Sequence, residues 1–202
     1  MQILDINTGK GTSVIFDSLT MVVDALKVSA SNIPISNGES AIITLDVTRE
    51  NVALGTMFVG SVLTHDSDPI GDNQDLEVLI TTPTDKHVHM EIEAAAGGAS
   101  EFHIYENPTI TDNGSGIYIW NKNRDSSDLT NTVSGYSQPS WTYVGVPIVS
   151  RYIPGGTILA YGGESTSTFV FDNDEDYILQ VTNRAGTAQP MSIKFQFYTH
   201  DV

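Results

Sequence analysis

The chain has 202 residues, 40% of them hydrophobic and none of them cysteine, which sets a globular protein of one sizeable domain with room for an appendage and excludes disulfides and thiolate metal ligation. Twenty-five acids against nine Lys and Arg give a formal charge of −16, a surface that repels phosphate backbones, so no nucleic acid is expected as a partner. No apolar run approaches the roughly 20 residues that span a bilayer, and residues 1–5 lack the basic region and apolar core of a secretory leader, so no membrane partner is expected either.

Residues 1–48 behave differently from the rest of the chain. Residues 1–5 and 12–16 read as short strands around Gly9-Lys-Gly11. Over 18–30, Leu19, Val22, Val23, Leu26 and Ala30 approximate a helical stripe, though the valines also permit a strand. Ile33-Pro34-Ile35 reads as extended, Asn37-Gly38 as a turn, and 41–48 as an alternating strand. A region this small holds a marginal core alone, so 1–48 reads as an N-terminal arm or as strands added to a sheet edge, with 49–202 the main domain.

From Gly55 onward short strands alternate with turns. Residues 56–64 are apolar and β-branched, and 76–82 form a strand ended by Pro83. Residues 87–106 alternate with period two. Val88, Met90, Ile92 and Ala94 share one face with Phe102 and Ile104, while His87, His89, Glu91 and Glu93 share the other. Gly97-Gly98 predicts that the two runs close as a β-hairpin, which places His103 nearly opposite Glu93. Further strands are expected at 117–120, 130–136, 157–161, 168–171, 177–182 and 192–198. Residues 141–153 carry Gly145 and Pro147, the mark of an edge strand or a packed loop. Strands at this spacing with few helical patterns predict an all-β sandwich or barrel.

Candidate chemistry is sparse. A His-x-His pair on one strand face, His87 and His89 beside Glu91 and Glu93 and facing His103, suits a transition metal in principle, because side chains at i and i+2 project together. The same pattern suits a polar wall that is exposed or turned toward a neighbouring subunit. Asp66-Ser-Asp68, Asp72-Asn-Gln-Asp75 and Asp172-Asn-Asp-Glu-Asp176 resemble pieces of a calcium loop, but acidic surface turns account for them better. Asn121, Asn123 and Arg124 follow an apolar strand. The asparagines suit turn geometry, and Arg124 is expected to pair with a carboxylate, internally or across a subunit boundary. With no cysteine nucleophile, no Gly-x-Ser-x-Gly elbow and no phosphate-cradling or dinucleotide loop, neither an enzyme nor a cofactor is expected.

Several segments, in order, carry a resemblance. They are Asp75-Leu-Glu-Val-Leu-Ile-Thr-Thr-Pro-Thr-Asp, His87-Val-His-Met-Glu-Ile-Glu, Glu101-Phe-His-Ile-Tyr-Glu, Trp120-Asn-Lys-Asn-Arg-Asp-Ser, Asp176-Tyr-Ile-Leu-Gln-Val-Thr-Asn and Met191-Ser-Ile-Lys-Phe-Gln-Phe-Tyr-Thr-His. From about Gly55 to the end the chain resembles a family of tailed-bacteriophage virion proteins, the head-decoration or cement-like structural proteins. Phe197 stands where that family usually has Trp. The resemblance implies a jelly-roll-like β-sandwich on the capsid surface, assembled in the host cytoplasm, with the major capsid protein and further copies of itself as partners. A trimer is preferred over a dimer, and no catalytic residues come with the family. The alternative is a receptor- or glycan-binding head of a phage fibre or spike. Trp120, Tyr136, Trp141 and Tyr143 exposed together at one end would mark that alternative.

Overall fold

The computed structural model describes residues 31–34, 40–43, 47–126, 131–154 and 168–201. The strands expected at 1–5, 12–16 and 157–161, the stripe over 18–30 and the Asn37-Gly38 turn lie outside them. The chain divides into two compact units, Met1–Glu50 and Asn51–Val202. In the first, β1 (Ser31–Pro34) pairs antiparallel with β2 (Ser40–Ile43), Ser31 opposite Ile43 and Pro34 opposite Ser40. The strand expected over 41–48 ends early, because Val47–Leu54 is a helix, α1. Its C-terminus is closed by paired bonds from Gly55 N–H to the Val52 carbonyl (3.1 Å) and from Thr56 N–H to that of Asn51 (2.9 Å). Gly55 adopts φ +74°, and a Cβ there would lie 2.3 Å from Ser126 Oγ, so both backbone and space require glycine.

The second unit is an all-β sandwich. Its strands are β3 (Phe58–Leu63), β4 (Asp75–Thr81), β5 (Lys86–Ala96), β6 (Ser100–Glu106), β7 (Thr109–Asp112), β8 (Ser115–Gly116), β9 (Ile119–Asn121), β10 (Ser134–Ser137), β11 (Ser140–Tyr143), β12 (Val146–Ile153), β13 (Thr168–Phe171), β14 (Asp176–Asn183) and β15 (Met191–Asp201). A six-stranded sheet runs β12-β6-β14-β4-β10-β8 and a five-stranded sheet β13-β5-β15-β3-β9, with β11 and β7 a separate ribbon. Every pairing is antiparallel. From β3 to β6 the chain changes sheet at each connection.

Period-two alternation turns one face of each sheet inward. Val78, Ile80, Ile104, Leu179 and Val181 come from the six-stranded sheet, and Val88, Met90, Ile193, Phe195 and Phe197 from the five-stranded sheet, all of them in one buried cluster. Each such side chain contributes about 1.5–3 kcal/mol by leaving water. Ile92 and Ala94 pack against the same cluster.

The expected hairpin does not form. β5 and β6 lie in different sheets, so residues 97–99 carry the chain across the sandwich rather than around a hairpin turn. Neither Gly97 nor Gly98 adopts the positive φ that a two-residue hairpin turn needs. Instead Gly97 N–H donates to the Pro190 carbonyl (3.1 Å), and a Cβ on Gly98 would lie 2.5 Å from Gln189 Oε1. Glu93 accordingly faces Lys194, and His103 faces Gln180 and Ser150. Val88 and Phe102 reach one core from opposite sides. The stretch at 141–153 splits at Gly145 (φ +109°) into β11 and β12, and β12 is the edge of the six-stranded sheet, its register shifted beside Pro147.

Candidate functional site

Strand register builds one outward face from the five-stranded sheet. Residues opposite one another share a face. Glu91 stands beside Gln196, Gln196 beside Val59 and Val59 beside Trp120, a row that crosses from β5 to the edge strand β9. Hydrogen bonds follow this row. Lys122 Nζ donates to Gln196 Oε1 at 2.8 Å, and Gln196 Nε2 donates to Glu91 Oε2. One row along, Lys194 Nζ lies 2.9 Å from Glu93 Oε2. Leu63, Trp120 and Val170 leave more than half of their surface exposed on the same side.

The histidines occupy one end of this face. His200 of β15 stands opposite His87 and Tyr198 opposite His89. The His89 ring stacks on Tyr198 with centroids 4.7 Å apart, and the His200 ring lies 4.8 Å from His89 and 5.4 Å from His87. Burial lowers the His89 pKa, and the neighbouring His200 and His87 lower it further, so the neutral imidazole is favoured. His200 and Tyr198 were not singled out in the sequence. Their signal was the alternation Lys194, Gln196, Tyr198, His200.

At the other end a loop fixes an arginine over an indole. Asn121 is buried, its Nδ2 donating to the Gly55 carbonyl (2.6 Å) and its Oδ1 accepting Asn123 N–H (2.8 Å). Asn123 repeats the pattern, with Nδ2 to the Ala53 carbonyl (3.1 Å) and Oδ1 from Asp125 N–H (3.1 Å). Successive Asx turns therefore tie 121–125 to the end of α1. Arg124 folds back with its guanidinium 4.9 Å from the Trp120 ring centroid. Among the described residues no carboxylate pairs with Arg124, whose guanidinium lies against the indole face. Trp120 stacks on Tyr118 at 5.9 Å, and a shallow pocket of about 410 Å³ is lined by Val59, Trp120, Asn121, Lys122 and Arg124.

Seven of the eight singled-out residues thus belong to the five-stranded sheet and the loop after it. His103 does not. It lies on the outer side of the six-stranded sheet, with Nδ1 3.0 Å from Ser150 Oγ and Nε2 3.9 Å from Glu101. That side is largely covered, for Leu79, Ile178 and Gln180 are buried there. It also holds Glu77, which sequence reasoning missed. The Glu77 carboxylate accepts Gln180 Nε2 (2.7 Å) and Trp141 Nε1 (3.3 Å), and burial raises its pKa against those two hydrogen bonds. The aromatics considered for a glycan site are separated, with Trp120 on the five-stranded sheet and Trp141 against Glu77 of the six-stranded one.

Two of the acidic turns are bonded to distant parts of the chain. Asp72 Oδ1 accepts Gly186 N–H at 2.9 Å, and Asp176 Oδ1 accepts the Thr81 hydroxyl at 2.6 Å. Among the described residues no three His, Cys, Asp or Glu side chains are arranged to hold a metal ion, and no helix is long and apolar enough to cross a membrane. Compared with known proteins, the chain matches no family model and none of the curated proteins.

Proposed function

We propose that the chain is a structural protein of a tailed-phage virion, one that binds the outside of the capsid and stabilises it without catalysis. The observation that carries this reading is the outward face of the five-stranded sheet. Its polar groups are already bonded to one another from Lys122 through Gln196 to Glu91, with Lys194 on Glu93 beside them. Exposed Leu63, Trp120 and Val170 surround that network. Side chains ordered on strands lose little further freedom when a partner docks, so more of the contact energy appears as affinity. The resemblance of the segments from Asp75 to His200 to decoration proteins supports the same reading, with the major capsid protein as partner and the virion surface as location. A jelly-roll-like winding belongs to this proposal; the successive crossings from β4 to β5 to β6 support it.

Bound to an expanded shell but not to its dissociated subunits, such a protein favours the shell by mass action, by about 2.7 kcal/mol per site at a hundredfold excess over Kd. Co-sedimentation of the purified protein with undecorated heads tests the proposal. Saturable binding and heads that resist heating are the expected results. Protein left in the supernatant, together with binding to immobilised glycans, would replace this reading with the fibre- or spike-head alternative.

A further inference from the structure

Three of the chain's five histidines meet at one end of the outward face of the five-stranded sheet. His87 and His200 are directly opposite one another on β5 and β15, and side chains so placed stand side by side on one face. Their ring centroids are 5.4 Å apart, and the His89 ring lies 4.8 Å from that of His200. Two imidazoles that share one ion, each binding through a nitrogen about 2.0–2.1 Å away, set their centroids roughly 4.5–5.5 Å apart. The cross-strand pair therefore already has the spacing of a chelate.

A second observation singles out His87. Its Nδ1 is shut off from water and has no hydrogen-bond partner. Leaving such a nitrogen unsatisfied is costly, and in the tautomer that carries its proton on Nε2 it presents a lone pair to a metal. The His89 ring, by contrast, is stacked face to face on Tyr198. The formal charge of −16 adds a field that draws cations to the surface. His103 takes no part, because β6 belongs to the other sheet.

We infer that His87 and His200 together bind one transition-metal dication of the zinc or copper class, the ions that imidazole suits. Two side chains fill two coordination positions and water fills the others. No third protein ligand is required, in keeping with the described residues, none of which form a three-residue metal constellation. Calcium and magnesium, which take oxygen ligands, are not held here. The ion ties the first residues of β5 to the last residues of β15, and by binding the folded chain it stabilises the sandwich by mass action. The site goes beyond capsid attachment and does not depend on it.

Isothermal titration of the untagged full chain with zinc tests this. Saturable uptake of one ion per chain is expected, with calcium in excess failing to compete. His87→Gln and His200→Gln are each expected to weaken binding by at least the roughly 10–100-fold that losing an outer-shell partner costs. His103→Gln, on the other sheet, is expected to leave it unchanged. Should either ligand variant misfold, NMR of wild type reads the same contact. The imidazole resonances of His87 and His200 are expected to move as zinc is added, while those of His65 and His103 stay in place. No saturable uptake, displacement by calcium, a ligand variant that binds like wild type, or zinc shifts at His65 or His103 in place of His87 and His200 would each overturn the inference. Failure to bind heads, with zinc uptake intact, would overturn the proposed function and leave this site standing.

Discussion

The carboxamide of Asn121 donates to the carbonyl of Gly55 at 2.6 Å, and through that bond the loop bearing Arg124 is tied to the end of a helix. Its other atom accepts Asn123 N–H, and both lie out of water. Asn121→Ala strands two backbone groups and is expected to cost about 1–3 kcal/mol. A urea titration measures the loss. Arg124→Gln, at an exposed position, is expected to move the midpoint far less.

Gly60 lies within β3 where a Cβ would meet the Phe195 ring at 2.4 and 2.8 Å. Phe195 is fully buried and cannot swing aside. Gly60→Ala therefore overfills the core, with an expected loss of about 1–3 kcal/mol. Calorimetric melting of the variant beside wild type checks it.

Glu77 binds its proton more tightly folded than unfolded, because burial raises its pKa above the ordinary 4.5. Its protonation favours folding below that ordinary value, and the contribution is lost as pH rises through the raised one. The urea midpoint of wild type relative to Glu77→Gln is accordingly expected to fall as pH rises through the raised pKa. A flat difference would show that the carboxyl titrates alike in both states.

His89 acts in the opposite sense. Burial and its neighbours His200 and His87 lower its pKa below the ordinary 6.5, so its contribution is present above 6.5 and lost as pH falls through the lowered value. His89→Gln is expected to lessen the acid-side loss of stability, read as the urea midpoint across that interval. NMR titration of the imidazole resonances reports the direction of the shift itself.

The alternation over 87–106 told which side chains face the core but not which strands pair, because inward faces look alike whether they adjoin one another or face each other across the sandwich. Val88 and Phe102 fit either arrangement; Gly97-Gly98 suggested the adjoining one, although its glycines serve close packing against Gln189 and Pro190. The outward row from Glu91 to Trp120 was not legible, since it joins residues from four strands and depends on register between them. Arg124 was expected to find a carboxylate, internally or across a subunit boundary. Its guanidinium lies over Trp120, on a loop held by the Asx turns of Asn121 and Asn123, a direction that residue types alone do not carry. Glu77 was hidden for a related reason. One acid in an apolar strand reads as an outward residue, whereas Gln180 and Trp141 arrive from other strands to satisfy it.

The most direct test of capsid attachment through the outward sheet face is co-sedimentation with undecorated heads using Val170→Asp combined with Glu91→Lys, beside a control altered only at Arg184 on the six-stranded side. The account predicts that the face variant stays in the supernatant while the control pellets with the heads as wild type does. A face variant that pellets like wild type would contradict it.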